Sequence, residues 1–322
     1  MPINNFLINI SMNLTVAFLK LIRWPNLVFV ALTQILFFYC ILPFVYKGIQ
    51  PTTLSSNIFY LLIIASITIA AAGYIINDYF DLNIDLINKP SKLIIENHIN
   101  RRWAIVLHLC LSAIGFILSC YVGYKLRNIY IPFLNLLAIV ALWFYSTTFK
   151  KKLLIGNVLI SLLTAWVILV ITVAELNLNR SADVNTFIIP RLMKVSFLYA
   201  GFAFTISLIR EVVKDMEDIL GDLKYGCKTM PIVWGIPVSK VFAGVWLVVL
   251  TGAVAVLQIY VLQLGWWLSA IYCVLVIIIP LLWILDKLYK AQLAADFKKL
   301  SSAIKLVMLT GIISMVFFKI YL

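Results

Sequence analysis

Stretches of mostly apolar residues, each long enough to cross a hydrocarbon core of about 30 Å, recur along almost the whole chain. They fall near residues 26 to 46, 56 to 76, 102 to 123, 129 to 146, 154 to 174, 192 to 212, 239 to 262, 265 to 286 and 302 to 321. Inside a bilayer the backbone must satisfy its own hydrogen bonds, which apolar segments of this length do as helices. The expectation is an all-α polytopic membrane protein, a bundle of nine transmembrane helices in a single domain over residues 1–322. Composition agrees, since 64% hydrophobic residues, 12% charged residues and a mean hydropathy of +1.05 exclude an ordinary soluble domain.

Basic residues gather between alternate spans. Lys20 and Arg23 precede the first span. Lys89, Lys92, Arg101 and Arg102 follow the second, and Lys150, Lys151 and Lys152 follow the fourth. Arg210, Lys214, Lys224, Lys228 and Lys240 lie around the junction of the sixth and seventh, and Lys287, Lys290, Lys298, Lys299 and Lys305 around that of the eighth and ninth. Cytoplasmic loops collect Lys and Arg, so the pattern puts the N-terminus and these loops on the cytoplasmic side of the inner (cell) membrane. Topology and anionic membrane lipids then account for the net charge of +13, and no nucleic-acid partner is expected. The start, "MPINNFLINISMNLT", has neither a charged n-region nor a cleavage site, so the first span reads as a retained helix. The five cysteines have no paired metal spacing, His98 and His108 are isolated, and Cys227 lies in a polar loop.

Acidic residues are concentrated in two places. Asp78, Asp81 and Asp85 close the second span at the spacing D-x2-D-x3-D, and Asp215, Asp218 and Asp222 repeat that spacing after the sixth. On a helix these offsets put the three carboxylates within about 60° of one face, so each set is expected to form an acidic stripe. Asn77 and Asn88 flank the first, Glu211 extends the second, and Glu217 points elsewhere. Four spans separate the two sets, which returns the chain to the same side. The arrangement suggests a parallel four-helix repeat plus one appended helix. One such cluster alone reads as a solvated helix end. Two at identical spacing, holding eight of the 13 acidic residues, read as a site. Facing carboxylates repel, and hard oxygen donors without cysteine or histidine suit Mg²⁺ completed by phosphate oxygens. Lys89, Lys92, Lys150, Lys151, Lys152, Arg210, Lys214 and Lys228 lie on the same side and are expected to cradle a diphosphate, although any one alone is more often a topology marker.

"NDYFDLNIDLINKP" and "KDMEDILGDLKYGCKTMP" resemble the two aspartate motifs of the UbiA family of intramembrane prenyltransferases. The likeness extends to Arg23 and Asn26 at the first helix and to "YSTTFKKKLLIGN", with Tyr145, Lys150, Lys151, Gly156 and Asn157. Arg210, Glu211, Lys214, Asp215, Glu217, Asp218, Gly221, Asp222, Gly226, Thr229 and Pro231 are most similar to the digeranylgeranylglyceryl phosphate synthase branch. The loop "SKLIIENHI" departs from the family pattern, with Lys92 in an arginine's place and Asn97 in a glycine's.

The resemblance implies Mg²⁺-dependent transfer of a prenyl group, geranylgeranyl in that branch, from its diphosphate to the hydroxyl of geranylgeranylglyceryl phosphate in ether-lipid synthesis. Asp78, Asp81, Asp85, Asp215, Asp218 and Asp222 would hold metal, with Asn77 as an alternative to Asp78. Arg23, Asn26, Asn77, Asn88, Lys89, Lys92, Tyr145, Lys150, Arg210, Lys214 and Lys228 would bind substrate. Asp81, Asp218 and Lys150 would be catalytic. Glu211 would be either a base or a structural partner for Lys214 or Arg210, and Tyr145 or Phe80 could face a carbocation. An aromatic acceptor, as in quinone biosynthesis, is the second reading, because the carboxylates do not encode the acceptor. A cation transporter is the third, disfavoured by acids at one rim and by a parallel repeat.

Overall fold

The computed structural model describes residues 13–47, 54–90, 93–176 and 187–322. Among them, nine helices are long and apolar enough to span a membrane: α1 (Trp24–Tyr46), α2 (Ser56–Asn88), α3 (Arg101–Leu126), α4 (Tyr130–Thr147), α5 (Ile155–Glu175), α6 (Ile189–Glu217), α7 (Gly235–Gln263), α8 (Trp267–Lys290) and α9 (Ala294–Ile320). The described residues form no strand, only an isolated bridge between Ile95 and Ile99. The chain is an all-α integral membrane protein, with the nine spans read from its apolar periodicity. Three elements differ in extent. The 33-residue α2 continues to Asn88, well past the apolar window, α6 continues to Glu217, and α9 starts at Ala294. Polar residues at these ends face a cavity rather than lipid, so the helices can outrun their apolar segments.

Outward faces carry large apolar side chains, among them Ile117, Phe133, Val256 and Ile259, as a lipid-facing surface requires. Packing between helices relies on close approach and a few polar links, because lipid is as apolar as leucine. Gly115 on α3 lies against α2 so tightly that a Cβ there would meet Ile69 at 2.6 Å. Asn135 on α4 donates to Ser119 on α3 at 2.8 Å and accepts from Trp166 Nε1 on α5 at 2.9 Å. Gln34 on α1 donates to Ser66 Oγ on α2 and to the Val167 carbonyl on α5. Beyond these links, Phe37, Ile41, Phe59, Leu62, Ile131 and Ile171 pack into a buried core that closes the end of the bundle opposite the aspartates.

Helix α2 packs on α1, α3 and α4, and α6 packs on α5, α7 and α9. The two long motif-bearing helices therefore each sit inside their own group of neighbours, with their C-terminal ends on the same side. A short helix, Leu14–Leu21, precedes α1 and packs with the loop carrying Ile95 and Ile99 against α2 and α3. Between it and α1, Arg23 adopts a left-handed backbone, φ 51°, which for a residue with a Cβ costs about 1–2 kcal/mol. That strain falls on a residue of the cavity.

Candidate active site

A cavity of about 990 Å³ opens between the C-terminal ends of α2 and α6 and runs into the bundle. The first motif stays on continuous α2 helix, so its acids share a face. Asp78 pairs with Arg23 Nη2 at 2.5 Å. Asp81, 4% exposed, accepts from Asn77 Nδ2 at 2.7 Å and is held in a short ion pair by Lys150. Burial opposes the Lys150 ammonium, but Asp81 and the nearby Tyr145 and Asp85 hold its pKa well above the ordinary lysine range.

The second motif does not form a single helical stripe. Asp215 lies in the last turn of α6 and accepts from Asn157 Nδ2 at 2.7 Å. The helix then breaks at Asp218, and Asp222 sits on a separate turn, Ile219–Lys224. Asn88 accounts for the break. Its side-chain amide donates to the Asp218 carbonyl at 2.9 Å and accepts from the Gly221 N–H at 2.8 Å. Only glycine admits this, since a Cβ at Gly221 would lie 2.5 Å from the Asn88 amide. Expected to bind substrate, Asn88 spends its side chain locking the two motifs together. Next to it, Lys89 pairs with Asp218 at 2.6 Å.

Arg23, Asn26, Asn77, Asp78, Asp81, Asp85, Lys89, Tyr145, Lys150, Arg210, Glu211, Lys214, Asp215, Asp218 and Asp222 all line the cavity, as Asn88 does. Lys228 does not. Its side chain is exposed, and its backbone N–H donates to the Lys151 carbonyl at 2.8 Å. Lys92 lies outside the described residues. Phe80 also stays out of the cavity, packing edge-on against Tyr79 and Trp143. Glu217, expected to point elsewhere, lines the cavity and accepts from Ser301 Oγ at 3.4 Å. Glu211 accepts from Arg210 Nη1 at 3.0 Å and from Lys214 Nζ at 3.1 Å, which favours the structural role over that of a base. Cys227 is buried, and burial pushes its thiol up to about 11, which removes it as a nucleophile at neutral pH.

Sequence reasoning missed Tyr74, Trp166 and Thr229, together with Lys298, Ser301, Ser302 and Lys305 on α9. The last four recur at helical spacing on an apolar helix, a signal obscured because its two lysines also fit the rule for cytoplasmic loops.

Among the described residues no three acidic, histidine or cysteine side chains gather into a group that could hold a metal ion. The reason is visible in the pairing. Asp78, Asp81, Asp215 and Asp218 are each drawn to an arginine, lysine or amide from another element. The third acid of each motif is not. Among the described residues, Asp85 and Asp222 have no such partner, and Asn77 Oδ1 is buried with none. Burial, opposed by Lys150 and reinforced by Asp218, pushes Asp222 up to about 6. Asn77 lies about 12 Å along α2 from Asp85, so more than one divalent cation would be needed to relieve both the buried charge and the orphaned amide oxygen, and the all-oxygen donors suit Mg²⁺. The residues present fit the ion.

Comparison with known proteins bears on the family and the fold. The chain is 32% identical to a digeranylgeranylglyceryl phosphate synthase from Methanobrevibacter smithii over 54% of its own length and 57% of the relative's, so the match spans little more than half of that protein. A digeranylgeranylglyceryl phosphate synthase structure superposes with a TM-score of 0.60 at 25% identity, covering 95% of this chain and 99% of its own. A UbiA homologue from Archaeoglobus fulgidus bound to DMAPP and Mg²⁺ has the same fold, with a TM-score of 0.54 at 14% identity over 92% of this chain and 98% of its own. The sequence profile of the UbiA prenyltransferase family matches residues 36–309, and the chain belongs to that family.

Proposed function

We propose that the protein transfers a prenyl group, geranylgeranyl, from its diphosphate to the hydroxyl of geranylgeranylglyceryl phosphate, forming an ether lipid. The observation that carries the reading is a single cavity with two aspartate motifs and several lysines at its mouth and an apolar interior beneath. A prenyl diphosphate has that same division of charge. The name of the Methanobrevibacter relative supports the acceptor.

Asp85, Asp222 and Asn77 would contribute to holding Mg²⁺ ions, joined by Asp81 and Asp218 once Lys150 and Lys89 turn to phosphate. The bound ion supplies Lewis acidity to the diphosphate. Lys150 and Lys89, already at the mouth, neutralise charge on the departing diphosphate as the allylic C–O bond breaks. Tyr145 offers an aromatic face to the allylic cation. The acceptor oxygen then bonds to the allylic carbon, and its proton passes to the departing diphosphate. The apolar walls keep water from competing for the cation. The same loops carry most of the basic residues, which supports a site facing the cytoplasm from the inner (cell) membrane. The active unit is the whole chain, acting as one domain.

The test is a mass-spectrometric assay of the purified protein with Mg²⁺ and geranylgeranyl diphosphate, with geranylgeranylglyceryl phosphate competing against 4-hydroxybenzoate and dihydroxynaphthoate. A digeranylgeranyl ether that disappears with EDTA is the expected product. A prenylated aromatic would overturn the acceptor while leaving the donor chemistry.

A further inference from the structure

Lys305 is a cavity cation placed where a lysine is costly. It lies on α9 (Ala294–Ile320), three residues, about 4.5 Å, inside the apolar segment that begins at residue 302, and it lines the cavity. An ionisable side chain within an apolar segment marks a candidate functional site. Among the described residues it has no carboxylate partner; its ammonium donates to Asn26 Oδ1 at 2.6 Å and lies 5.0 Å from the Phe29 ring. Lys89, Lys150, Arg23, Arg210 and Lys214 each have an acid.

A second observation points to the same wall. Arg210 on α6, which packs against α9, uses Nη1 to hold Glu211, while its buried Nε has no hydrogen-bond partner among the described residues. A buried guanidinium donor left unmade costs about 1–3 kcal/mol or more, and a ligand would remove that cost. Arg23 and Arg210 are near enough to act on the charge of Lys305. Three cations without enough acid between them form an anion site. Ser302, exposed on the cavity side of α9, adds a hydroxyl near the mouth, while Glu217, held by Ser301, marks the acidic limit of this wall.

We propose that this α9–α6 wall is a second anion subsite of the same cavity, beside the two aspartate motifs, in which Lys305 and the Nε–H of Arg210 bind the phosphomonoester head of the lipid acceptor. The inference rests on the proposed transfer to a phosphorylated lipid and adds where the acceptor is read. The two aspartate motifs serve the donor through metal. The α9 wall needs none, because its cations meet the phosphate directly.

The experiment uses the full chain in lipid nanodiscs and the variants Lys305→Gln, Lys305→Arg and Ser302→Asp. With Mg²⁺, Lys305→Gln should raise KM for geranylgeranylglyceryl phosphate about ten-fold or more, the loss expected for one charge-assisted hydrogen bond, while KM for geranylgeranyl diphosphate stays within about two-fold. Lys305→Arg should recover most of the loss, and geranylgeranylglycerol lacking the phosphate should be used equally by wild type and Lys305→Gln. Ser302→Asp, at an exposed position that spares folding, should weaken the phosphorylated acceptor in the same direction by repulsion. In EDTA, wild type should still bind geranylgeranylglyceryl phosphate, and Lys305→Gln should bind it about ten-fold more weakly. An unchanged acceptor KM, or an equal rise for the donor, overturns the site. If wild type binds the phosphorylated acceptor through Lys305 in EDTA but transfers nothing to it, the site stands and the functional reading falls. If it transfers and Lys305→Gln is indifferent, the reverse holds.

Discussion

At the scale of single residues, the six aspartates divide by what already neutralises them. Asp81 is the partner of Lys150, so Asp81→Ala leaves a buried ammonium unpaired and should cost about 3–5 kcal/mol of stability, by the general cost of orphaning one side of a buried pair, as well as turnover. Among the described residues Asp222 has no such partner, and it is buried, so holding it ionised at neutral pH works against folding. Asp222→Asn should therefore abolish transfer yet raise the thermal midpoint of the metal-free protein at pH 7.5. Because the folded carboxyl titrates near 6, above its unfolded value of 3.8, wild type regains that stability as pH falls through 6, and the advantage of Asp222→Asn should vanish near pH 4. Thermal unfolding in EDTA at both pH values checks this, and a variant less stable than wild type at pH 7.5 would show that Asp222 has an unseen partner. At Glu211, pairing with Arg210 and Lys214 argues against a base. Glu211→Gln should lower kcat/KM by loosening those cations while leaving the shape of the pH–rate profile unchanged.

At the scale of elements, the first aspartate motif was legible as a helical stripe and the second was not, although their spacings are identical. Nothing local to Asp215, Asp218 and Asp222 announces the break at Asp218. The residue that stabilises it, Asn88, lies 130 positions away in sequence. A carbonyl and an N–H freed by the break find one amide on another helix, a contact that local periodicity cannot contain. The clasp makes a measurable claim. Asn88→Ala strands both backbone groups, and Gly221→Ala drives a Cβ into the Asn88 amide. Each alone should destabilise by about 1–3 kcal/mol, and the double variant should cost clearly less than the sum, because Asn88→Ala removes the amide atoms that the new methyl group at position 221 would strike. Additive losses in thermal unfolding would mean the two positions act separately. The floor of the cavity was equally hidden in sequence. From Asp78 to Ser66, the wall formed by α2 falls about 18 Å, comparable to an extended geranylgeranyl tail, before Trp166, held by Asn135, meets the buried core. Trp166→Ala should open that floor and shift donor preference toward longer prenyl diphosphates, measured as the ratio of kcat/KM values. An unchanged ratio would mean that the tail leaves the cavity sideways.

At the scale of the whole molecule, the span count, the helical class and the common side of both motifs followed from apolar windows and the placement of charge, because the bilayer imposes both on any chain that crosses it. Less legible was how far polar chemistry reaches into the bundle. The α9 lysines were read as markers of the cytoplasmic side, although Lys305 already fell inside the ninth apolar stretch; what the sequence did not show is that Lys305 faces the same cavity as Asp81 and Asp218. Sidedness is thus a property of the assembled bundle. The ends of α2, α4, α6 and α8, and the starts of α3, α5, α7 and α9, must share one face, and it must be the face from which soluble diphosphate arrives and leaves. A cysteine placed at Lys151 or Lys224, in the loops after α4 and α6, should react with a membrane-impermeant maleimide only when the cytoplasmic face is open to the reagent. One at Lys125 or Gln263, near the opposite ends of α3 and α7, should react in intact cells. Mg²⁺ with geranylgeranyl diphosphate should slow labelling at Lys151, beside the Lys150 that holds Asp81, and leave Gln263 unaffected. The reverse labelling pattern would keep the nine helices and turn the active site to the outer face, where a cytoplasmic prenyl diphosphate could not reach it.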